Sequence, residues 1–131
     1  MMLDEIANFV EAEALVPVGF ILRRGSSSDQ PDNMIIIREY GGGAPHFVHP
    51  TTGIGFENPR VQIECRSKTY VSARNAAEAI YRKLAEVSQQ ELSGCRYLRI
   101  TPLQSPFLMG RDTNGRERIV FNAQVVKEVS P

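Results

Sequence analysis

Hydrophobic side chains recur every three to four positions in two stretches of this chain and at every second position in three others. Over residues 3–15, Leu3, Ile6, Ala7, Val10 and Ala14 share one helical stripe, while Asp4, Glu5, Glu11 and Glu13 fall mainly on other faces. Asp4 and Glu5 stand in the first turn, where the helix dipole favours negative charge, and Pro17 and Gly19 end the segment. A stronger helix is predicted over residues 70–88. Ala73, Ala76, Ala77, Ile80, Leu84 and Val87 form its apolar stripe, and Arg74, Glu78, Arg82, Lys83 and Glu86 take the other faces. Ser67 or Thr69 supplies the N-cap, the alanines permit close approach to a sheet, and Glu78 and Arg82 are spaced for an ion pair.

The strand signals are shorter. An apolar run at Phe20, Ile21 and Leu22 stops at Arg23, Arg24 and Gly25, and residues 26–33 have the serine, aspartate and proline content of a turn or loop. Residues 34–40 (MIIIREY) read as a buried strand. Val61, Ile63 and Cys65 alternate with Gln62, Glu64 and Arg66, which predicts a strand with one wet face. Leu98 and Ile100 alternate with Tyr97, Arg99 and Thr101, with irregularities at Pro102 and Pro106. Asp112, Thr113, Asn114 and Gly115 then form a hairpin turn. The return strand sets Ile119, Phe121, Ala123 and Val125 against Val120, Asn122, Gln124 and Val126.

Residues 41–59 break the pattern. Rich in glycine and proline, they show no sustained period, and a structureless stretch of that length is foreign to a compact domain unless it projects as an arm. The chain is therefore expected to be one α+β domain over residues 1–131. Its sheet is expected to have four to five mostly antiparallel strands, with two helices packed on one face and residues 41–59 as a projecting arm.

Charge narrows the function. Fifteen basic and fifteen acidic residues cancel, so the basic excess that usually accompanies a phosphate-backbone grip is missing. The acidic, amphipathic beginning does not read as a secretory leader, and no stretch approaches the roughly 20 apolar residues that span a bilayer. Cys65 and Cys95 are expected to be free thiols in a reducing compartment.

Candidate chemistry is sparse. His46 and His49 in HFVH supply two imidazoles among glycines and prolines, with only Glu57 nearby, whereas zinc needs three or four ligands. Cys65 is expected on the apolar face of its strand, and Cys95 has no histidine near it in sequence. Neither a nucleophile elbow nor a Walker loop is present, and the glycine triplet at 41–43 lacks dinucleotide-binding spacing. The acidic residues of the first helix are expected to be a solvated face. No enzyme activity, cofactor or metal is expected. A rival reading is a small nucleic-acid-contacting module working through Arg23, Arg24, Arg111, Arg116 and Arg118, although aromatic residues interleave poorly with them.

Three segments together carry a family resemblance: PDNMIIIREYGGGAP (31–45), NPRVQIECRSKTYVSARNAAEAIYRKL (58–84) and LQSPFLMGRDTNGRERIVFNAQVV (103–126). Their order and spacing resemble the small tail-terminator and minor-capsid proteins of long-tailed bacteriophages. The resemblance implies a virion protein of the tail and neck, assembled in the host cytoplasm. It further implies a ring of copies, hexameric in the family, that caps the tail tube and joins it to head-completion or stopper proteins, with DNA only passing through the lumen. Another neck protein, a stopper or connector subunit, is the neighbouring alternative. On this reading Phe47, Val48, Ile54 and Phe56 of the arm, with Phe107, Arg111, Arg116 and Arg118 of the last hairpin, are the expected subunit or partner contacts.

Overall fold

Alternation fixes the centre of the sheet before any other element is placed. The computed structural model describes residues 2–49 and 54–128. In chain order its elements are α1 (Met2–Ala12), β1 (Ile21–Arg24), β2 (Met34–His49), β3 (Ile54–Ser67), α2 (Tyr70–Ala85), β4 (Ser88–Leu92), β5 (Cys95–Pro102), β6 (Phe107–Arg111) and β7 (Glu117–Glu128). The strands form one sheet in the order β1-β2-β3-β7-β5-β4, and β6 also pairs with β7. β1 runs parallel to β2, and every other pairing is antiparallel.

The register stacks apolar residues in rows across three strands. Ile35 faces Cys65 and Cys65 faces Ile119; Ile37 faces Ile63 and Ile63 faces Phe121; Val61 faces Ala123. All are fully buried, and together with Ile6, Ala7 and Val10 of α1 and Ala73, Ala77, Ile80 and Leu84 of α2 they form the core. Tyr81 of α2 meets Phe121 edge to face at 5.6 Å. α2 lies over β3, β7 and β5, whereas α1 touches β1, β2 and β4. Since β1 and β4 end the strand order on opposite sides, the sheet curls so that α1 closes the gap between them.

The α+β class with two helices is as expected, but the sheet has seven strands rather than four to five. One extra strand is β4, whose sequence SQQEL exposes its first four residues and carries no apolar alternation. Another arises because the irregular stretch before the last turn divides. β5 pairs with β7 at residues 123–127, and β6 pairs with β7 at 117–120.

The stretch 41–59 departs furthest from expectation. Its described residues are strand: β2 and β3 run on through it as a hairpin, with Gly43 facing Asn58, His46 facing Phe56 and Phe47 facing Gly55. Glycine and proline are poor strand formers, but here the ladder supplies the structure. β3 is held on its other side by β7, with Phe56 against Glu128 and Glu57 against Lys127. Three register shifts along β2 absorb the irregular residues.

Two local expectations also change. Glu78 pairs with Arg74 at 3.0 Å rather than with Arg82. Tyr97, expected on the wet face of its strand, is fully buried, because a register shift between Tyr97 and Arg99 turns it inward. It meets Glu5, a residue of the supposedly solvated face of α1. The Glu5 Oε1 accepts a hydrogen bond from the Tyr97 hydroxyl at 2.7 Å and one from Lys127 Nζ at 2.8 Å. Lys127 is 2% exposed, lies over the Tyr97 ring and stands 3.8 Å from Glu57. This cluster fastens α1 to β5 and to the end of β7.

Truncating one partner of a buried ion pair strands the other charge in a poorly solvated site. Glu5→Ala is therefore expected to lower unfolding stability by about 3–5 kcal/mol in urea titrations. The double variant Glu5→Leu with Lys127→Met should recover most of that loss. Equal losses in the two variants would show that the charges do not act as a pair.

Candidate functional site

The face of the sheet away from the helices carries the complementary set of rows. There Ile36 faces Glu64 and Glu64 faces Val120, while Arg38 and Arg118 occupy diagonal positions on the flanking strands. Glu64 is 2% exposed and accepts hydrogen bonds from Arg38 Nη1 at 2.9 Å and from Arg118 Nη2 and Nε at 2.9 and 3.2 Å. Burial by itself would raise the Glu64 pKa. The hydrogen bonds and charges of Arg118 and Arg38 more than offset it and hold the carboxyl below its usual range. Gln62 bonds Asn122, and Arg60 bonds Gln124, continuing the polar ladder.

The loop 26–32 is pinned over one end of this face. Arg66 donates to the carbonyl oxygens of Ser28, Pro31 and Asp32. Arg116, with a side chain only 4% exposed, is bound by Asp112 at 2.7 Å, Asp29 at 3.4 Å and Asp32 at 3.5 Å, and donates to the Asp29 carbonyl. A cavity of about 340 Å³ opens between this loop and the turn at 112–116. Its charges are matched: Arg38, Arg66, Arg116 and Arg118 stand against Asp29, Asp112 and Glu64, with Asp32 beside them.

The expected contact residues thus separate. Arg116 is an internal strut, and Arg118 is committed to Glu64; neither stands free for a partner. Arg111 is 71% exposed on its side chain and pairs with the buried Glu117 at 2.9 Å. Phe107 is exposed and Phe56 half-buried. Phe47, Val48 and Ile54 belong by backbone to the β2–β3 hairpin, and their side chains lie outside the described set, as do those of His46 and His49. Among the described residues no three His, Cys, Asp or Glu side chains gather as metal ligands, and no helix is long and apolar enough to cross a membrane. Cys65 is fully buried on the core face, where burial pushes its thiol pKa well up. Cys95 is also buried, and its Sγ donates to the Glu128 carbonyl at 3.5 Å.

The rival basic patch is largely neutralised. Arg24 pairs with Asp4 at 3.0 Å, Arg111 with Glu117, Arg116 with its aspartates and Arg118 with Glu64. Phosphate would have to compete with these carboxylates for the arginines.

Two uncharged surfaces stand out among the described residues, and sequence patterning did not single out either as a unit. On β6 and the loop before it, Leu103, Phe107, Leu108 and Met109 are each 39–49% exposed. Between the loop after α1 and α2 runs a groove of about 490 Å³, floored by Leu15, Val18, Phe20, Ala76 and Ala79. The FLM run at 107–109 signals the first; the second joins residues distant in sequence and has no linear signature.

The sequence matches the family described as bacteriophage tail terminator protein over residues 9–129. The chain belongs to that family. No curated protein sequence matches it. A chain in the structure titled "Virion of native gene transfer agent (GTA) particle" shares its fold, with a TM-score of 0.65 at 14% identity, over 95% of this chain and 92% of that one. As a member of the tail terminator family, the chain is a structural protein of the phage tail. The family resemblance read from the three sequence segments is thereby established.

For this tail terminator family member, the buried carboxylates Glu5 and Glu64 contribute to the acid limit. Burial would raise the Glu5 pKa, but hydrogen bonds from Lys127 and Tyr97 and the Lys127 charge lower it overall, as the arginines do for Glu64. Depressed folded-state values contribute stability that is complete above the ordinary glutamate pKa of 4.5 and lost as pH falls through the folded value. Unfolding free energy is expected to be flat in this respect above about pH 5 and to fall below about 4.5. Glu64→Gln should flatten that acid limb. An unchanged slope in denaturant titrations from pH 6 to pH 3 would show that Glu64 is not one of the groups responsible.

Proposed function

We propose that this chain is the tail terminator of a long-tailed phage or phage-like particle. Copies close into a ring, hexameric as the family resemblance implies, on the head-proximal end of the tail tube. The ring stops tube growth and presents a surface to the head-completion or stopper protein, and DNA passes through its lumen. Family membership across residues 9–129 carries this reading. The charge pattern agrees with it, because arginines already satisfied by carboxylates leave a passage that does not hold phosphate tightly. A head-to-tail contact between unlike surfaces closes into a ring when its rotation divides the circle. The β2–β3 hairpin through residues 41–59 is the proposed arm, laid against a neighbouring copy or the tube protein by the β2 edge that has no strand partner beyond Ile37 among the described residues.

Particles produced without this chain are expected to show tail tubes of uncontrolled length and heads left unjoined, seen by negative-stain microscopy. Tails of normal length joined to heads would overturn the terminator reading. Deleting residues 43–56 should leave a folded protein, by circular dichroism and thermal melting, that no longer rescues tail length. Rescue by that deletion would take the arm out of the assembly contact and leave the terminator reading standing.

A further inference from the structure

The two uncharged surfaces lie on different flanks of α2. At about 100° per residue along α2, Ser72, Asn75 and Ala79 fall on one flank, Arg74 and Glu78 on the other, and Ala73, Ala77, Ile80 and Leu84 between them toward the sheet. The first flank walls the groove. The second faces the β6 loop, where Arg74 Nη1 donates to the Pro106 carbonyl at 2.7 Å. Sheet order agrees: β1 lies at one end of the sheet, and β6 extends it beyond β7 on the other side.

From this arrangement we propose that the β6 ridge of one copy seats in the α1–α2 groove of the next. The proposal rests on the ring reading and names the surfaces that build the ring. Each copy carries both a ridge and a groove, and the neutrality of both favours a second copy as occupant. Neither the segment 103–110 nor any of the residues lining the groove is charged, so the contact desolvates no unpaired ion. The free edge of β6 also carries backbone N–H and C=O groups unpaired among the described residues. Asn33, Ser72 and Asn75, the polar groups of the groove, can serve them. Half-exposure of four large side chains amounts to about 350 Å², the size of a functional patch on a monomer. A standard interface buries about 800 Å² per partner, so surface around the ridge and the groove must join the contact. Because ridge and groove differ and lie on different flanks, each copy offers both halves, and addition continues until the circle closes.

Distinct half-sites allow a test by mixing. The full chain carrying Leu108→Glu and Met109→Glu loses the ridge; the full chain carrying Ala79→Glu loses the groove. All three positions are exposed, so both proteins are expected to fold. Wild type should associate with concentration in sedimentation velocity, and each variant should associate about a hundredfold more weakly, since a desolvated unpaired carboxylate opposes the contact. An equimolar mixture of the two variants retains one intact ridge and one intact groove, and should give a one-to-one dimer and nothing larger. A wild type that stays monomeric at millimolar concentration, a mixture without heterodimer, or association lost in only one variant would overturn the pairing. In particles, a chain carrying Met109→Cys and Ala79→Cys should yield a ladder of disulfide-linked multimers on oxidation. Particles that contain the chain and have tails of normal length but give no ladder would overturn the pairing alone. Absence of the chain from the particles would overturn the terminator reading beneath it.

Discussion

The antiparallel register between β3 and β7 is the constraint on which the remaining structure depends. It sets Cys65 against Ile119 and Ile63 against Phe121 on the helix side. Because side chains alternate, the same register sets Glu64 against Val120 on the other side and within reach of Arg118. A slip of one residue would therefore expose the core row and bury the charged row at once. Core packing and the ion network are two readings of a single alignment. β2 and then β1 are added on the β3 side, and β5, β4 and β6 on the β7 side, so every other strand inherits that alignment.

The ion pairs built on this frame act more as positioning devices than as a store of stability. Buried pairs recover only part of the free energy lost in desolvating them, and apolar residues of the same shape often do as well. What they supply here is direction. Arg66 and Arg116 fix the loop 26–32 over the sheet face, and Glu5 with Lys127 and Tyr97 fixes α1 across the gap in the curled sheet. Pairing the arginines inside the molecule goes with uncharged surfaces on the β6 ridge and in the α1–α2 groove. Under the proposed ring reading, that division suits a subunit that meets copies of itself around a passage for DNA.

Much of the fold was legible because burial imposes periods on the sequence. The alternation at Val61, Ile63 and Cys65 and at Ile119, Phe121, Ala123 and Val125 marked the central strands correctly, and the alanine stripe of α2 marked the helix that covers them. Where burial is absent or indirect, the signal faded. β4 is polar because its side chains stay wet, so nothing in SQQEL marks it as a strand. The strands within 41–59 draw their order from neighbours and not from the propensities of glycine and proline. Glu5 looked like one more surface acid because its partner lies 122 positions away, and Tyr97 was turned inward by a shift that no local period records. Arg116 shares a turn with Asp112, but the loop aspartates that complete its burial come from the other end of the chain. The groove beside α2 was illegible for the same reason, since its walls come from three separate segments.

The treatment of strand edges gives the surfaces their meaning. An exposed edge invites pairing with other chains, and proteins blunt it with charge, brevity or bulges. β1 is short and ends in Arg23 and Arg24; β4 keeps four polar residues outward; β2 carries three register shifts. β6 is also short and has a register shift between Leu108 and Gly110, but its first three residues, Phe107, Leu108 and Met109, carry no charge and are each well exposed. Charge was available nearby, yet Arg111 is turned onto Glu117 at the base of the strand. An edge left apolar in a molecule that guards its other edges is a liability in the free subunit, and it is relieved only when another surface covers it. On the proposed pairing that covering surface is the groove of the next copy, and burying the apolar strand there would contribute to the driving force of the contact.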